Sequence, residues 1–362
     1  MAKAGMGAER LSGQGVLRVD LGAIVANWRD LGARHGAPVA GVVKADGYGL
    51  GAAPVARALA AAGCRHFFVA HLSEGLALRA AIGPGPQVAV LNGFPPGADG
   101  GAGLVPVLNG LPDVAAWGAA GGEAILHLDT GMARLGLDAR EQAALAQDRA
   151  PLGRARLLYV MTHLACADEP HHPLNAAQRA RFAEAASRIA PGVPTSLANS
   201  SGLFLGEGFR SDLARPGCAL YGINPTPGRP NPMRQAVTLE GEVLQVRRIE
   251  EGESVGYGAS WTARRPSRIA TVAVGYADGY LRALSGRSMG TLHGTEVPLV
   301  GRVSMDLTTF DVTDVPDARA GDRVRIIGPG NTPDDIAARC GTIGYEVLTS
   351  LGARYARTYA GG

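Results

Sequence analysis

Of the 35 basic residues in this chain only two are lysines, Lys3 and Lys44; the rest are arginines. Where a fixed positive charge is enough, the chain uses arginine, whose guanidinium stays protonated and cannot attack a carbon. Lys44 lies in Val42-Val43-Lys44-Ala45-Asp46-Gly47-Tyr48-Gly49, where an apolar run gives way to a loop. A lone internal amine at a strand end suits covalent catalysis, most simply as a Schiff base with a carbonyl compound. The plain alternative is an ordinary strand-end charge, and the neighbours must decide between the two.

Four further stretches carry polar groups at the ends of apolar runs. They are Asp129-Thr130-Gly131-Met132-Ala133-Arg134, Thr162-His163, Asn199-Ser200-Ser201-Gly202 and Arg215-Pro216-Gly217-Cys218. Taken singly, Asp129 reads as a turn residue, Arg134 as a surface charge and His163 as a satisfied core histidine. Taken together they offer one amine, two arginines, a histidine and short polar residues beside glycines whose N–H groups suit a phosphate. That set matches the needs of pyridoxal 5'-phosphate: a lysine for its carbonyl, ligands for its phosphate, and partners for its ring nitrogen and for a carboxylate. No segment has the spacing of a Walker loop or a dinucleotide fingerprint.

The elements that must position these residues alternate. Short apolar runs recur at 39–43, 66–70, 87–91, 104–108, 124–128, 156–161, 195–198 and 213–221, separated by Ala-rich amphipathic segments at 52–62, 73–80, 111–120, 140–147 and 176–190. This rhythm predicts either a parallel (β/α)8 barrel or a doubly wound open sheet. An open sheet gathers its site at one switch point, whereas here polar residues close many successive runs, from Lys44 and Asn92 to His163 and Arg215. The barrel is therefore expected over 12–230. After the proline-rich stretch 224–232 the pattern becomes alternating and β-branched, predicting a mostly β domain over 231–362. A strand near 15–21 could join that domain. Residues 1–13 read as a flexible leader.

Composition excludes several classes. With 46% hydrophobic and 19% charged residues the chain is globular. A net charge of +3 without a dense basic tract predicts neither nucleic acid nor membrane as a partner. The short basic start, with no long apolar segment behind it, argues against a secretory signal, and no apolar run is long enough to span a bilayer. The four cysteines, Cys64, Cys166, Cys218 and Cys340, are widely spaced, which suits a reducing, cytoplasmic setting.

With these motifs in order, the chain resembles the bacterial alanine racemase family along almost its whole length. Besides the stretches above, the resemblance rests on Val255-Gly256-Tyr257-Gly258, Val274-Gly275-Tyr276-Ala277-Asp278-Gly279-Tyr280, Gly301-Arg302-Val303-Ser304-Met305-Asp306 and Gly344-Tyr345-Glu346. It implies a barrel plus a β domain, pyridoxal 5'-phosphate as cofactor, and a head-to-tail homodimer with composite active sites. It implies that Lys44 and Tyr257 are the two bases, Lys44 for the D-isomer and Tyr257, reaching the other subunit's cofactor, for the L-isomer. Arg215 would face the pyridine nitrogen, leaving it unprotonated and so limiting side reactions such as transamination. His163 would lie beside the ring, and Tyr48, Ser200, Gly217, Cys218 and Tyr345 around the phosphate, with Asn199 beside Ser200. Arg134 and the backbone of Met305 would bind the substrate carboxylate. Tyr276, and less directly Tyr280, would line the entrance, with His127 and Asp306 in support. A free lysine ammonium titrates near pH ~10.4, so the base role requires surroundings that lower its pKa.

Three departures from the family pattern bear on this reading. His127 stands where many relatives carry a carbamylated lysine that braces the nearby arginine, so an anion or His127 itself must brace Arg134. Ser304 replaces a usual cysteine. Leu50 and Leu307 replace polar residues. The expected activity is alanine racemisation that supplies D-alanine for peptidoglycan. The alternatives are a serine or broad-specificity racemase, a decarboxylase on the same plan, which Arg215 disfavours, and a non-catalytic cofactor-binding protein, which would lack Tyr257.

Overall fold

The computed structural model describes residues 15–95, 97–98 and 103–362, so the leader expected at 1–13 lies outside the described residues. The chain divides into two compact units: Leu21–Arg234, and Gln235–Gly362 together with the segment ending at Asp20. The division falls after Arg234, past the expected boundary at 230, because the linker is tied to the first unit. Asn27 Oδ1 accepts the N–H of Arg234 (2.8 Å), and Asn27 Nδ2 donates to the carbonyls of Arg234 (2.8 Å) and Leu220 (3.1 Å). Strand β1 (Val16–Asp20) belongs to the second unit, where it pairs with two strands from the far end of the sequence.

In the first unit, β2 (Gly41–Val42), β3 (His66–Val69), β4 (Gln87–Val90), β5 (Leu104–Leu108), β6 (Gly122–His127), β7 (Ala155–Met161) and β8 (Thr195–Ser196) pair in parallel in chain order. Residues 213–216 take the eighth place. Leu213 and Arg215 donate their N–H groups to Thr195 and Ala198, Ala214 donates to Pro38, and Ala40 donates to Ala214, so the sheet closes into the expected barrel. The last run is extended only to Pro216 and then coils into a 3-10 turn, Cys218–Tyr221.

Two apolar layers hold the barrel. One cluster joins Val42, Phe68, Ala89, Val107, Ile125, Met161 and Leu213, side chains from successive strands around the ring. The other joins Ala124, Leu126 and Val160 to Val114, Leu145, Phe182 and Ile189 of the surrounding helices. Ala124 and Leu126 thus face the helices while Ile125 between them faces the other cluster, the two-residue alternation of a strand. Each large side chain buried here contributes about 1.5–3 kcal/mol. Helix starts are fixed locally: Asp138 accepts the N–H groups of Arg140 and Glu141, each at 2.8 Å, and Glu141 accepts that of Asp138 (3.1 Å).

The second unit is built on the long strand β9 (Val237–Ile249), which pairs with β1 and with β16 (Arg323–Ile327) at one end and with β12 (Ser267–Val272) at the other. A short hairpin, β10 (Ser254–Val255) and β11 (Trp261–Thr262), lies between β9 and β12 in sequence. β15 (Thr308–Asp311) pairs with β12, and β17 (Ala356–Ala360) runs parallel to β1. Within the expected β domain, β13 (Met289–Leu292) and β14 (Thr295–Pro298) form a hairpin turning at His293 and Gly294, both at positive φ. β15 begins only at Thr308, which leaves Met305 in the preceding loop. The helix Gly344–Thr349 and β17 were not anticipated.

Candidate active site

Lys44 follows β2 by two residues and opens an unusual turn. Ala45 and Asp46 (φ 52° each), Gly47 (φ 62°) and Tyr48 (φ 56°) are all left-handed. Only Gly47 adopts this freely; the other three cost about 1–2 kcal/mol each. Hydrogen bonds offset that cost: Gly47 N–H to Val43 carbonyl (2.9 Å), Gly49 N–H to Ala45 (2.8 Å) and Gly51 N–H to Asp46 (2.8 Å), with Asp46 Oδ1 accepting from Ala52 N–H (2.8 Å). Burial, and then the nearby Arg134 charge, lower the pKa of the Lys44 ammonium; Glu74 and Cys218 oppose them. The amine is thereby shifted toward its neutral, nucleophilic form.

Of the residues expected around a phosphate, Tyr48, Ser200 and Gly217 converge from three loops. Ser200 Oγ accepts the N–H groups of Gly217 (3.0 Å) and Ala219 (3.2 Å), which leaves its own hydroxyl proton to donate. The Tyr48 hydroxyl lies against Gly217 so closely that a Cβ there would collide with it. Tyr48 is in turn stacked on the buried Tyr221, with ring centroids 4.7 Å apart. Tyr221 itself donates to the Val42 carbonyl (3.0 Å), which ties this loop to the strand before Lys44. Cys218 begins the 3-10 turn and lies within electrostatic range of Lys44. Asn199 is engaged locally, accepting from Gly202 N–H (2.9 Å) and donating to the Leu164 carbonyl (3.3 Å).

Arg215 is buried, its guanidinium donating to Ser196 Oγ and the Thr162 carbonyl. Among the described residues it has no ion-pair partner. Burial pushes its pKa down to about 10, so it stays cationic at neutral pH. A buried cation with neutral partners suits the unprotonated ring nitrogen of pyridoxal phosphate, and the hydroxyls of Tyr48 and Ser200 suit its phosphate; the residues present fit that group. Burial, followed by Arg215, Arg134, Lys44 and His127, pushes His163 down to about 3. His127, buried at the end of β6, is pushed down to about 4 by burial and then by Arg215, partly opposed by Asp129 and deepened by Arg134. Both imidazoles are therefore neutral, as expected beside two arginines and a lysine.

Arg134 is exposed on a loop anchored by Asp129, whose Oδ1 accepts from Gly131 (2.9 Å), Met132 (2.9 Å) and Ala133 (3.1 Å). Gln178, fully buried on the helix Pro173–Ile189, binds this loop to the next. It donates to Thr130 Oγ1 (3.2 Å) and the His163 carbonyl (2.9 Å) and accepts from Ala165 N–H (2.9 Å). Nothing in the sequence marks Gln178, or Asn109, which holds His127, because a polar residue within a helical or loop pattern looks like any solvated one. Glu74 was equally silent; its place three residues after His71 is a capping-box spacing without the usual Ser or Thr.

The remaining expected residues lie on the second unit. Tyr257 sits in a short 3-10 turn and is 70% exposed; Met305, Tyr276 and Tyr345 are exposed as well. Met305 and Tyr276 share one backbone network, Tyr276 N–H to Ser304 carbonyl (3.0 Å) and Ala277 N–H to Met305 carbonyl (2.9 Å). Gly275 lets these two loops approach, since a Cβ there would strike the Met305 carbonyl. Arg354 clamps the network, donating from Nε to Asp278 Oδ1 (2.6 Å) and from Nη1 to Asp306 Oδ1 (2.8 Å). Tyr280, in contrast, is buried with its hydroxyl donating to Ser288 Oγ (2.9 Å), so it is a core residue and not an entrance aromatic.

Comparison with known proteins agrees with this geometry. Residues 19–225 match the family model described as alanine racemase, N-terminal domain, and 236–359 the model described as alanine racemase, C-terminal domain. An alanine racemase of Acidiphilium cryptum is 58% identical over 349 residues, covering 94% of this chain and 97% of that protein. A catabolic alanine racemase of Mesorhizobium japonicum is 50% identical, with 96% and 93% covered. The crystal structure of alanine racemase from Bartonella henselae with covalently bound pyridoxal phosphate superposes with a TM-score of 0.91 at 40% identity, covering 96% of this chain and 99% of that one. Matched across both of its units, the chain belongs to the alanine racemase family.

Proposed function

We propose that this chain interconverts L- and D-alanine with pyridoxal 5'-phosphate, and that it supplies D-alanine for peptidoglycan. The observation that carries the reading is the convergence at the barrel rim of an amine with a lowered pKa, a buried arginine without a carboxylate, and a hydroxyl cradle. When bound, the cofactor supplies an electrophilic carbonyl and a conjugated ring that stabilises negative charge at the substrate Cα. Tyr48 and Ser200 would hold its phosphate with Gly217 and Cys218, while Arg215 and His163 would hold the ring. Arg134 and, across the homodimer, the backbone of the partner subunit's Met305 would orient the substrate carboxylate.

Racemisation needs a proton taken from one face of Cα and returned to the other. Lys44 Nζ serves one face, that of the D-isomer. Tyr257 Oη serves the opposite face, and we assign it across a homodimer, so that Lys44 works with Tyr257 of the partner subunit. The high exposure of Tyr257 and Met305 within one chain supports that assignment, since a catalytic phenol needs shelter from water. Among the described residues no helix is long and apolar enough to cross a membrane. No disulfide joins the four cysteines, which favours a reducing, cytoplasmic setting.

The test is a chiral assay in deuterated water with L-alanine and, separately, L-serine. Racemisation of alanine with deuterium at Cα, faster than serine, supports the reading; no exchange in protein that holds the cofactor overturns it. Mixing Lys44→Ala with Tyr257→Phe chains tests the composite site. Activity returns in the mixed dimer if one site draws on both chains, and stays absent, despite proven subunit exchange, if it does not.

A further inference from the structure

Glu74 lies on the first turn of the helix Leu72–Ile82, and its carboxylate does more than start that helix. Oε2 accepts the N–H groups of Ala70 (2.7 Å) and His71 (3.1 Å), the local capping contacts. Oε1 points elsewhere. It accepts the N–H of Ala45 at 2.8 Å, reaching a loop 29 residues earlier in the chain. That N–H belongs to the peptide joining Lys44 to Ala45, the point at which the backbone enters its left-handed turn. The internal bonds of the turn begin two residues later, at Gly47, so the first peptide is held from outside.

We infer that Glu74 is a positioning residue for Lys44, a carboxylate from the next βα unit that clamps the peptide after the lysine and so fixes the direction in which its amine projects. The inference rests on the reading of Lys44 as a catalytic base. Three N–H donors converge on this carboxylate, and each of its oxygens is used. A glutamine could not replace it, because its amide nitrogen would face a donor. Glu74 also counters the burial and the Arg134 charge that lower the Lys44 pKa, so its charge restrains how far the amine is shifted.

A residue that only caps its own helix would contribute to stability and leave Lys44 untouched. The composition of the chain gives a clean way to tell these apart, since Lys3 and Lys44 are its only lysines. Full-length protein, freed of cofactor by dialysis, is treated with limiting acetic anhydride at a series of pH values. Acetylation of each lysine is then read by peptide mass spectrometry, with Lys3 as the internal reference. In Glu74→Gln the Lys44 midpoint falls by about half a pH unit or more while that of Lys3 is unchanged. An unmoved Lys44 midpoint, with only a lower melting temperature, overturns the inference.

Glu74→Asp is the second variant, in case the first fails to fold. It keeps the charge and the local cap but is too short to span to Ala45. In the holoenzyme it lowers kcat about tenfold with KM within about twofold; full retention of kcat overturns the clamp. Acetylation needs no turnover, so a shifted Lys44 profile in protein that fails to racemise alanine would sink the proposed activity and leave the Glu74 assignment standing.

Discussion

His127 Nδ1 lies 2.8 Å from Asn109 Oδ1. Asn109 Nδ2 donates to the carbonyls of Leu91 (2.9 Å) and Val107 (3.2 Å), which turns the amide oxygen toward the ring. His127 must then carry its proton on Nδ1 and present Nε2 as an acceptor. In the unfolded chain this imidazole takes up a proton as pH falls through about 6.5; in the folded chain it does so only near 4. The unfolded state binds more protons between those values, so stability present at pH 8 is lost as pH drops. The loss due to His127 is about 2 kcal/mol at pH 5. Denaturant unfolding of His127→Gln at pH 8 and pH 5 should show a difference smaller than wild type by about that amount. Parallel slopes in the two proteins would rule the effect out.

Gly217→Ala places a methyl group against the Tyr48 hydroxyl. We expect the dissociation constant for pyridoxal 5'-phosphate to rise about tenfold or more, a loss of about 1.4 kcal/mol, as Tyr48 is displaced from the cradle. An absorbance titration of cofactor-free protein measures this, and an unchanged constant would remove Tyr48 from the phosphate site.

Gln178→Leu strips three hydrogen bonds from a fully buried position. The unpaired groups of Ala165, His163 and Thr130 should cost about 2–4 kcal/mol together. Because the same side chain joins the Asp129 loop to the His163 loop, kcat should fall as well. Stability and kcat must move together; a variant that loses the first and keeps the second would separate the bracket from catalysis.

Arg354→Met releases Asp278 and Asp306 at once. The Met305 loop loosens, and KM for alanine should rise several-fold with a smaller change in kcat, since the contact proposed for Met305 is to the substrate carboxylate and not to the moving proton. A fall in kcat at unchanged KM, in steady-state assays, would contradict that placing of Met305.

The barrel was legible because its strands are short apolar runs with helical patterns between them, and because polar residues end so many of them. The hairpin of β13 and β14 was hidden because its turn uses His293 at a left-handed φ of 48°, a position where Asn, Asp or Gly would have announced a turn. The helix Gly344–Thr349 is too short for a period to show. Lys44, His163 and Arg215 could be singled out because their side chains are chemically costly where they stand. Glu74, Asn109 and Gln178 could not. Their significance lies in which groups they meet across 29, 18 and 48 residues of chain, and no local pattern encodes that.

The assignment of β1 to the second unit has a consequence for how the chain emerges during synthesis. Val16 must wait for Glu240 and then for Ala356 before its strand has neighbours on both sides. Leu21–Arg234, in contrast, is one uninterrupted stretch whose strands each pair with the next to appear. The ribosome therefore delivers a barrel that can close on itself while the strand ahead of it is still an unpaired edge, held in reserve until the last residues are made. A chain truncated before β17 would leave that edge open and be prone to associate through it.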